Sequence, residues 1–276
     1  MSWIRSHRYL LARRAAQVSI LLLFAAGAHF HLRVLTGDLS ASRLFRTVPL
    51  ADPFATLQIL ATGHVLEATV LLGAGVVLAF WLVCGGRGFC AWACPVNIVD
   101  DVGSRLRRGL GARGQFRVDR SARYWILALA LAVSAVSGLA AFEAVSPIGM
   151  IHRGIIFGAG LGLLAIAAIL VLDIWVLRHG WCGSLCPLGA FWSIVGTRSL
   201  VRVGFDADRC DDCGDCVQVC PEPQVIHFPD MERRGFIDAG NCLNCARCLE
   251  VCPQDAYRFT VRRLARPQRA AFKRAA

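Results

Sequence analysis

Two copies of one cysteine pattern near the C-terminal end set the strongest limit on how this chain can fold. The pattern C-x2-C-x2-C-x3-C-P occurs at Cys210, Cys213, Cys216, Cys220 and Pro221, and again 32 residues later at Cys242, Cys245, Cys248, Cys252 and Pro253. This spacing is typical of segments that bind two 4Fe–4S clusters. Zinc sites and disulfide frameworks also use paired cysteines, but neither needs the x3-C-P ending twice. The doubled pattern predicts a small fold built around two clusters.

The same spacing assigns the ligands, because the fourth cysteine of each run binds the cluster of the other run. One cluster is predicted on Cys210, Cys213, Cys216 and Cys252, and the second on Cys242, Cys245, Cys248 and Cys220. We expect the fourth cysteine to open a helix that reaches the other cluster. The spacing is that of bacterial ferredoxins, which carry single electrons. With every iron capped by a thiolate, the module is expected to do no bond chemistry of its own.

The rest of the chain is strongly apolar, and 56% of all residues are hydrophobic. Stretches long enough to cross a bilayer, which takes about 20 residues, begin at Ala15, Ala68, Tyr124 and Gly154. The last three contain no Asp, Glu, Lys or Arg. The first also resembles a signal peptide, but its apolar run is long for one, which favours a retained anchor. We predict a membrane all-α domain of four transmembrane helices over 1–200, a small α+β ferredoxin domain over 201–262, and a basic tail over 263–276.

Arginines crowd one side of the predicted helices. The N-terminal tail and the loop after the second stretch hold Arg5, Arg8, Arg13, Arg14, Arg87, Arg105, Arg107, Arg108, Arg113, Arg117, Arg120 and Arg123, whereas the opposite loops hold Arg33, Arg43, Arg46 and Arg153. Because cytoplasmic loops are enriched in Lys and Arg, both termini are predicted in the cytoplasm of a bacterium, with the chain in the inner membrane. The net charge of +11 is explained by anionic lipid and requires no nucleic acid.

A second, different cysteine motif also occurs twice. C-x3-C-P is found at Cys90, Cys94 and Pro95, and 92 residues later at Cys182, Cys186 and Pro187. Each copy follows a predicted membrane helix at its cytoplasmic end, which indicates an internal duplication. These four cysteines are candidates for a third redox centre, as ligands of a further cluster or as a thiol–disulfide pair, with simple packing as the alternative. The remaining Cys84 is expected to be a small core residue.

Several segments together resemble the NapH family, membrane ferredoxin-type quinol dehydrogenase subunits of periplasmic nitrate reductase systems. They are PLADPF, GHVLEATVLLGA, CAWACPVN, HRGIIFG, HGWCGSLCPLGA and CDDCGDCVQVCPEPQVI. The resemblance implies electron transfer from ubiquinol or menaquinol toward a periplasmic reductase. It also implies a NapG-like ferredoxin partner and a membrane-anchored multihaem cytochrome. One departure is His179, where the family pattern has arginine.

Quinol oxidation needs a proton acceptor, for which His64 and Glu67 are the candidates. They lie three residues apart, so on a helix they would share one face, and a neutral histidine beside a carboxylate can take a proton. The alternative is an interfacial pair that anchors the helix. Asp173, near Arg178 and His179, is interpreted as a charge-pairing residue.

Two other functions fit the same cysteines. An assembly or maturation protein could use its clusters to reduce a metal or a cysteine of a client enzyme. A redox-sensing membrane protein would also need iron–sulfur sites beside a bilayer. The chain has no C-x-x-C-H motif and is therefore expected to attach no c-type haem.

Overall fold

The structure, a computed structural model, describes residues 7–30, 34–111, 118–158 and 160–264. Most of the predicted basic tail and four of the flanking arginines (Arg5, Arg33, Arg113 and Arg117) lie outside these residues. The chain divides into two units. The first, called the ferredoxin unit below, consists of the described parts of Met1–Arg13, Trp81–Trp92 and Trp192–Ala276; the second, the helical unit, consists of those of Arg14–Phe80 and Ala93–Phe191.

Helices dominate the chain up to residue 196. In chain order they are α1 (Arg8–His29), α2 (Pro53–Ala61), α3 (Ala68–Cys84), α4 (Gly88–Trp92), α5 (Val96–Gly109), α6 (Ala122–Ser137), α7 (Ala141–Val145), α8 (Pro147–Phe157), α9 (Leu161–Val171) and α10 (Pro187–Gly196). Two π-helical turns, Leu172–Val176 and Trp181–Leu185, lie between α9 and α10. Three short strands, β1 (Leu35–Gly37), β2 (Ala41–Leu44) and β3 (Val48–Ala51), form an antiparallel sheet after α1.

The helices of the helical unit turn large apolar side chains outward. Leu72 on α3 is 58% exposed, Val136 on α6 is 91% exposed and Leu163 on α9 is 74% exposed. The buried positions of α3 are instead the small residues Gly73 and Ala74. Exposed apolar helices over buried small residues are the reverse of the pattern of soluble proteins.

One helix within the described residues, α1 with 22 residues, is long and apolar enough to cross a membrane, judged by length and composition only. Helices α3 and α6 are apolar but shorter, with 17 and 16 residues. The prediction of one continuous fourth helix from Gly154 is wrong. The helix α8 ends at Phe157, because Gly158 adopts a left-handed conformation with φ of 71°, and α9 starts afresh at Leu161. A Cβ at Gly162 would lie 3.2 Å from Cα of Gly154, so these glycines permit close packing of α8 on α9.

The ferredoxin unit has an α+β core. Strands β4 (Val201–Phe205) and β5 (Tyr257–Val261) pair antiparallel, with Val203 opposite Phe259. Between them lie three further short helices, α11 (Asp215–Val219), α12 (Phe228–Arg234) and α13 (Arg247–Val251). Val203, Met231 and Ile237 are at most 2% exposed and centre the core, against which most of the cysteines of the two runs pack.

This unit reaches beyond the predicted 201–262 boundary. The backbone N–H of Leu10 donates to Oε1 of Glu250 at 2.8 Å, and the Tyr9 ring meets the edge of Phe259. At the end of α3, the carbonyl of Leu82 accepts from the N–H of Leu200 at 3.1 Å. The beginning of α1 and the end of α3 therefore belong to the same unit as the cysteine runs.

Candidate iron–sulfur sites

The two cysteine runs adopt the same local backbone conformation. Asp212 and Asn244, each just before the second cysteine of its run, are left-handed with φ of 56° and 48°. Gly214 and Ala246, each just after that cysteine, are also left-handed, with φ of 79° and 61°. A left-handed conformation is unusual for residues other than glycine and is costly unless the surroundings enforce it. The repeat of this feature shows that each run forms the same tight loop.

A short helix follows each loop, α11 in the first run and α13 in the second. The third cysteine lies inside the helix, and the fourth, Cys220 or Cys252, is the residue that ends it in an extended conformation. The expectation that the fourth cysteine opens a helix is therefore wrong. The physical reason is the proline that follows, because a residue before proline is disfavoured in the helical region.

Cysteines from both runs line one cavity. Cys220 of the first run lies there with Cys242, Cys245 and Cys248 of the second, and the other lining residues include Val203, Val225 and Ile237. The space between the protein atoms is about 360 Å³, including its opening to solvent. The structure thus brings together the four side chains that were predicted to hold the second cluster.

The other four cysteines are placed less closely. Cys210 and Cys216 lie near enough for their charges to interact, and Cys210 and Cys252 pack against the same apolar core. Tyr257 Oη donates a hydrogen bond to Sγ of Cys216 at 3.3 Å. Cys213 is exposed, alone among the thirteen cysteines, and Asp211 and Asp215 lie beside it.

The chemistry of these groups fits an iron–sulfur cluster. Burial raises the pKa of the Cys242 thiol to about 11, and burial together with the nearby Cys245 raises the pKa of the Cys248 thiol well above its usual range. These thiols therefore hold protons that metal binding must release. No three His, Cys, Asp or Glu side chains in the described ranges converge on a single-ion site. Four thiols spread around a cavity would suit a larger group with four irons, each bound by one thiolate.

The segment that follows α3 is bonded to the loop of the second run. Arg87 Nη1 donates to Oε1 of Glu222 at 2.7 Å and to the carbonyl of Asn241 at 3.1 Å. Trp92 Nε1 donates to the carbonyl of Asn244 at 3.1 Å, and the Asn244 side chain donates to the carbonyl of Cys84. Sequence reasoning named Arg87 and Cys84 for other reasons and missed the contacts of all these residues with the cysteine run, because only the fold brings them together.

The C-x3-C-P cysteines are found in both units. Cys90, on α4, packs with Ala91 against Leu243 and Cys245 in the ferredoxin unit. Cys94, Cys182 and Cys186 lie near one another in the helical unit. Burial raises the pKa of the Cys182 thiol well above its usual range, and the neighbouring Asp100, Cys94 and Cys186 raise it further.

The structure does not support a shared helical face for His64 and Glu67. Both are exposed and lie in the loop between α2 and α3, since α3 begins only at Ala68. His64 Nδ1 is 2.7 Å from the hydroxyl of Thr62. Glu67 lines an open cavity of about 780 Å³ beside the three-stranded sheet, together with Arg43 and Thr69, and His64 lies outside it.

Two family models match this chain. A 4Fe–4S dicluster domain matches residues 205–256 and covers both ferredoxin-type runs. A 4Fe–4S binding domain matches 66–113 and 159–201 and covers both C-x3-C-P motifs. Each set of cysteines thus lies within a domain that is described by iron–sulfur binding.

Curated relatives agree with these models. The chain is 46% identical to the methylamine utilization ferredoxin-type protein MauN of Methylorubrum extorquens, over 81% of this chain and 78% of that protein. It is 41% identical to the ferredoxin-type protein NapH of Haemophilus influenzae, over 82% and 79%, and 38% identical to NapH of Escherichia coli, over 84% and 81%. The chain belongs to the NapH/MauN family of ferredoxin-type proteins. No solved structure matches it.

Membership of the NapH/MauN family confirms the predicted resemblance and makes the chain an iron–sulfur electron-transfer protein. The matched domains also explain why two unlike cysteine patterns occur in one chain. One pattern belongs to the dicluster domain of the ferredoxin unit, and the other accompanies the apolar helices.

Proposed function

We propose that this chain is a membrane subunit that oxidises quinol and passes the electrons through iron–sulfur clusters toward a periplasmic reductase. The observation that carries the proposal is the position of the end of α3. This apolar helix ends inside the ferredoxin unit, where Cys84 and Leu82 are hydrogen-bonded to Asn244 and Leu200. An apolar helix that lipid would stabilise is thereby hydrogen-bonded to the loop of the second cysteine run. One chain can therefore contact a quinol in the bilayer and hold the iron–sulfur clusters that accept its electrons.

The apolar helices support a multi-pass arrangement. Outward-facing Leu72, Val136 and Leu163 would be stabilised by lipid and would be costly in water. We infer that the bilayer is crossed by α1, α3, α6 and the helix formed by α9 with its π-helical turn. The start of α1 and the end of α3 both lie in the ferredoxin unit, which supports placing the arginine-rich flanks and both termini on the cytoplasmic side.

Eight cysteines are the proposed ligands of two 4Fe–4S clusters, with the crossed assignment. Cys220 supports the crossing, because it shares a cavity with Cys242, Cys245 and Cys248 rather than with its own run. When bound, the clusters supply one-electron transfer. The exposed Cys213 gives a partner, such as a NapG-like ferredoxin subunit, its shortest approach to the first site.

The paired C-x3-C-P cysteines are proposed as a third redox centre, on the strength of the matched 4Fe–4S binding domain and of the grouping of Cys94, Cys182 and Cys186. The role of His64 and Glu67 in quinol oxidation stays a prediction, now without a shared helical face to support it.

A gene deletion tests the proposed destination of the electrons. Cells that lack this chain should lose most quinol-dependent nitrate reduction in the periplasm, and the wild-type gene should restore it. A Cys182→Ser gene should not restore it, whereas Cys84→Ser, a change outside the paired motifs, should. Undiminished nitrate reduction in the deletion strain would contradict nitrate reductase as the destination.

A second candidate is service to a different client enzyme, by electron supply or by assembly of its metal site. It is favoured by the 46% identical relative, whose name refers to methylamine utilization. Growth of the same deletion strain on methylamine separates the two. A growth defect on methylamine with normal nitrate reduction would support the second candidate.

A further inference from the structure

Helix α5 has its polar face turned into the protein. Asp100, Ser104 and Arg107 are between 1% and 9% exposed, whereas Val102 and Leu106 are 41% and 45% exposed. Burying a polar group is costly unless it finds a hydrogen-bond partner. The partners of this face are therefore a guide to what the face does.

The first partner is His179. Its Nδ1 lies 2.5 Å from Oδ2 of Asp100, and both side chains are 2% exposed. The hydroxyl of Ser104 lies 3.1 Å from Nδ1 and 3.2 Å from Nε2 of the same ring. His179 is a non-glycine residue with φ of 52°, and it lies between the two π-helical turns. Left-handed backbone and π-helical turns are both concentrated at functional sites.

The second partner is Asp173, which is completely buried. Its Oδ1 accepts hydrogen bonds from the N–H groups of Gly180 at 2.8 Å and Trp181 at 3.3 Å. The carboxyl of Asp100 lies near enough to that of Asp173 for the two charges to interact. No donor in the described ranges reaches Oδ1 of Asp100 or Oδ2 of Asp173.

Two buried carboxylates that lie near each other repel when both are charged. A proton taken up by Asp173 would remove that repulsion, so the carboxyl pair is suited to accept one. A side chain at position 103 would crowd Asp173, because a Cβ at Gly103 would lie 3.0 Å from Cβ of Asp173.

Other charged groups border the pair of carboxyls. Arg107 donates to the backbone carbonyl of Asp173 at 3.0 Å, not to its carboxyl. The surrounding titratable and charged side chains are Arg14 with Asp101, Arg120 and Arg123 near Gly183, Arg178 beside His179, and the thiols of Cys94, Cys182 and Cys186. Asp100 and Asp173 are near enough to Cys182 for their charges to act on it.

We propose that Asp100, Asp173 and His179 form the proton-accepting group for quinol oxidation at the C-x3-C-P end of the helical unit. This deepens the proposed function and rests on it. The group meets the two requirements of such an acceptor, since it is buried beside the proposed redox cysteines and two of its carboxylate oxygens accept from no donor in the described ranges.

The proton and electron balance closes. Oxidation of one quinol to quinone breaks two O–H bonds and releases two electrons and two protons. The electrons pass to the iron–sulfur clusters. One proton goes to the imidazole of His179, whose positive charge Asp100 offsets. The other goes to the carboxyl of Asp173, which becomes neutral while Asp100 stays charged. Release to the cytoplasm restores both groups.

Rates of cluster reduction test the proposal in the anaerobically purified full-length protein. Asp100→Asn and Asp173→Asn should each slow reduction by ubiquinol-1 about a hundredfold, the order of magnitude that general acid–base groups contribute. Reduction by dithionite should be unchanged in both variants. Asp101→Asn is the matched control, because Asp101 is a neighbouring buried carboxylate of α5 that pairs with Arg14 instead, and it should keep the wild-type rate with quinol.

An infrared difference spectrum between the oxidised protein and the protein reduced by ubiquinol-1 gives a second readout. The wild type should show a protonated-carboxyl band that shifts in D2O and is lost in Asp173→Asn. If Asp173→Asn loses iron, the wild-type band alone decides, and its absence overturns the proposal. Wild-type quinol rates in both Asn variants also overturn it. A wild-type protein that quinol does not reduce overturns the proposed function first, and the proton-accepting role with it.

Discussion

Arg87 and Glu222 form a buried ion pair, with 2.7 Å between Nη1 and Oε1 and both side chains 1% exposed. The two residues are 135 positions apart. Arg87 follows α3, and Glu222 follows the Cys220–Pro221 end of the first cysteine run. The pair therefore fixes the end of an apolar helix against a loop that contributes to the proposed second cluster.

Replacing Arg87 should damage that cluster. Arg87→Met leaves the carboxylate of Glu222 buried without its partner, which costs about 3–5 kcal/mol in comparable pairs. We expect a lower unfolding midpoint and a loss of iron from the second site, measured by iron analysis and electron paramagnetic resonance. The double variant Arg87→Met, Glu222→Leu should recover part of the loss. Arg233→Met, which breaks an exposed ion pair with Asp230 in the same unit, is the control. Full iron content in Arg87→Met would contradict the structural role.

Crossed ligation predicts which cluster each fourth cysteine supports. Cys252→Ser should damage the site of Cys210, Cys213 and Cys216, and Cys220→Ser should damage the site of the second run. Each protein should retain the signal of the other cluster in electron paramagnetic resonance. Cys84→Ser should retain both signals. If Cys252→Ser removes only the cluster of its own run, the assignment is wrong.

Tyr257 should raise the reduction potential of the first cluster. Its hydroxyl donates to Sγ of Cys216, and a hydrogen bond to a ligating sulfur stabilises the more negative, reduced state. Tyr257→Phe should lower that potential by roughly 40 mV, which corresponds to about 1 kcal/mol for one electron. Redox titration of the two signals measures it. A lowered potential at the second cluster instead would mean that Cys216 had been assigned to the wrong site.

The arginine-rich flanks predict that both termini are cytoplasmic. A reporter that is active only in the cytoplasm should be active when fused after Leu264, and one that is active only in the periplasm should be inactive there. Fusion within β2, at Ser42, should give the reverse pattern, because this loop is predicted on the periplasmic side. If the reporters give the same pattern at Ser42 and after Leu264, the two positions lie on one side of the membrane and the predicted topology is wrong.

The iron–sulfur ligands could be predicted from the sequence, because they follow from the spacing of nearby cysteines. Contacts between residues that are distant in sequence could not. The cysteine runs are local, so the dicluster domain and the grouping of Cys220 with Cys242 followed from spacing alone. Asp100 and His179, like Arg87 and Glu222, are distant in sequence and meet only through packing. The prediction that His64 and Glu67 share a helical face is wrong, because helix α3 starts one residue after Glu67. The fourth apolar stretch is interrupted because Gly158 adopts a left-handed conformation that ends α8. Hydropathy measures only how apolar the side chains are, so it could not predict this break.

The most direct test of the account is to compare two reductants on the anaerobically purified full-length protein. Ubiquinol-1 or menadiol should bleach the visible absorbance of the same clusters that dithionite bleaches. Cys94→Ser, Cys182→Ser and Cys186→Ser should each abolish the response to quinol while keeping the response to dithionite, and each should be nearly as defective as the triple variant, because residues that act as a unit are not additive. His64→Ala and Glu67→Gln, measured beside Asp173→Asn, decide at which end of the helices the quinol reacts. The account would be contradicted if dithionite reduces the clusters of the wild-type protein but neither ubiquinol-1 nor menadiol reduces them.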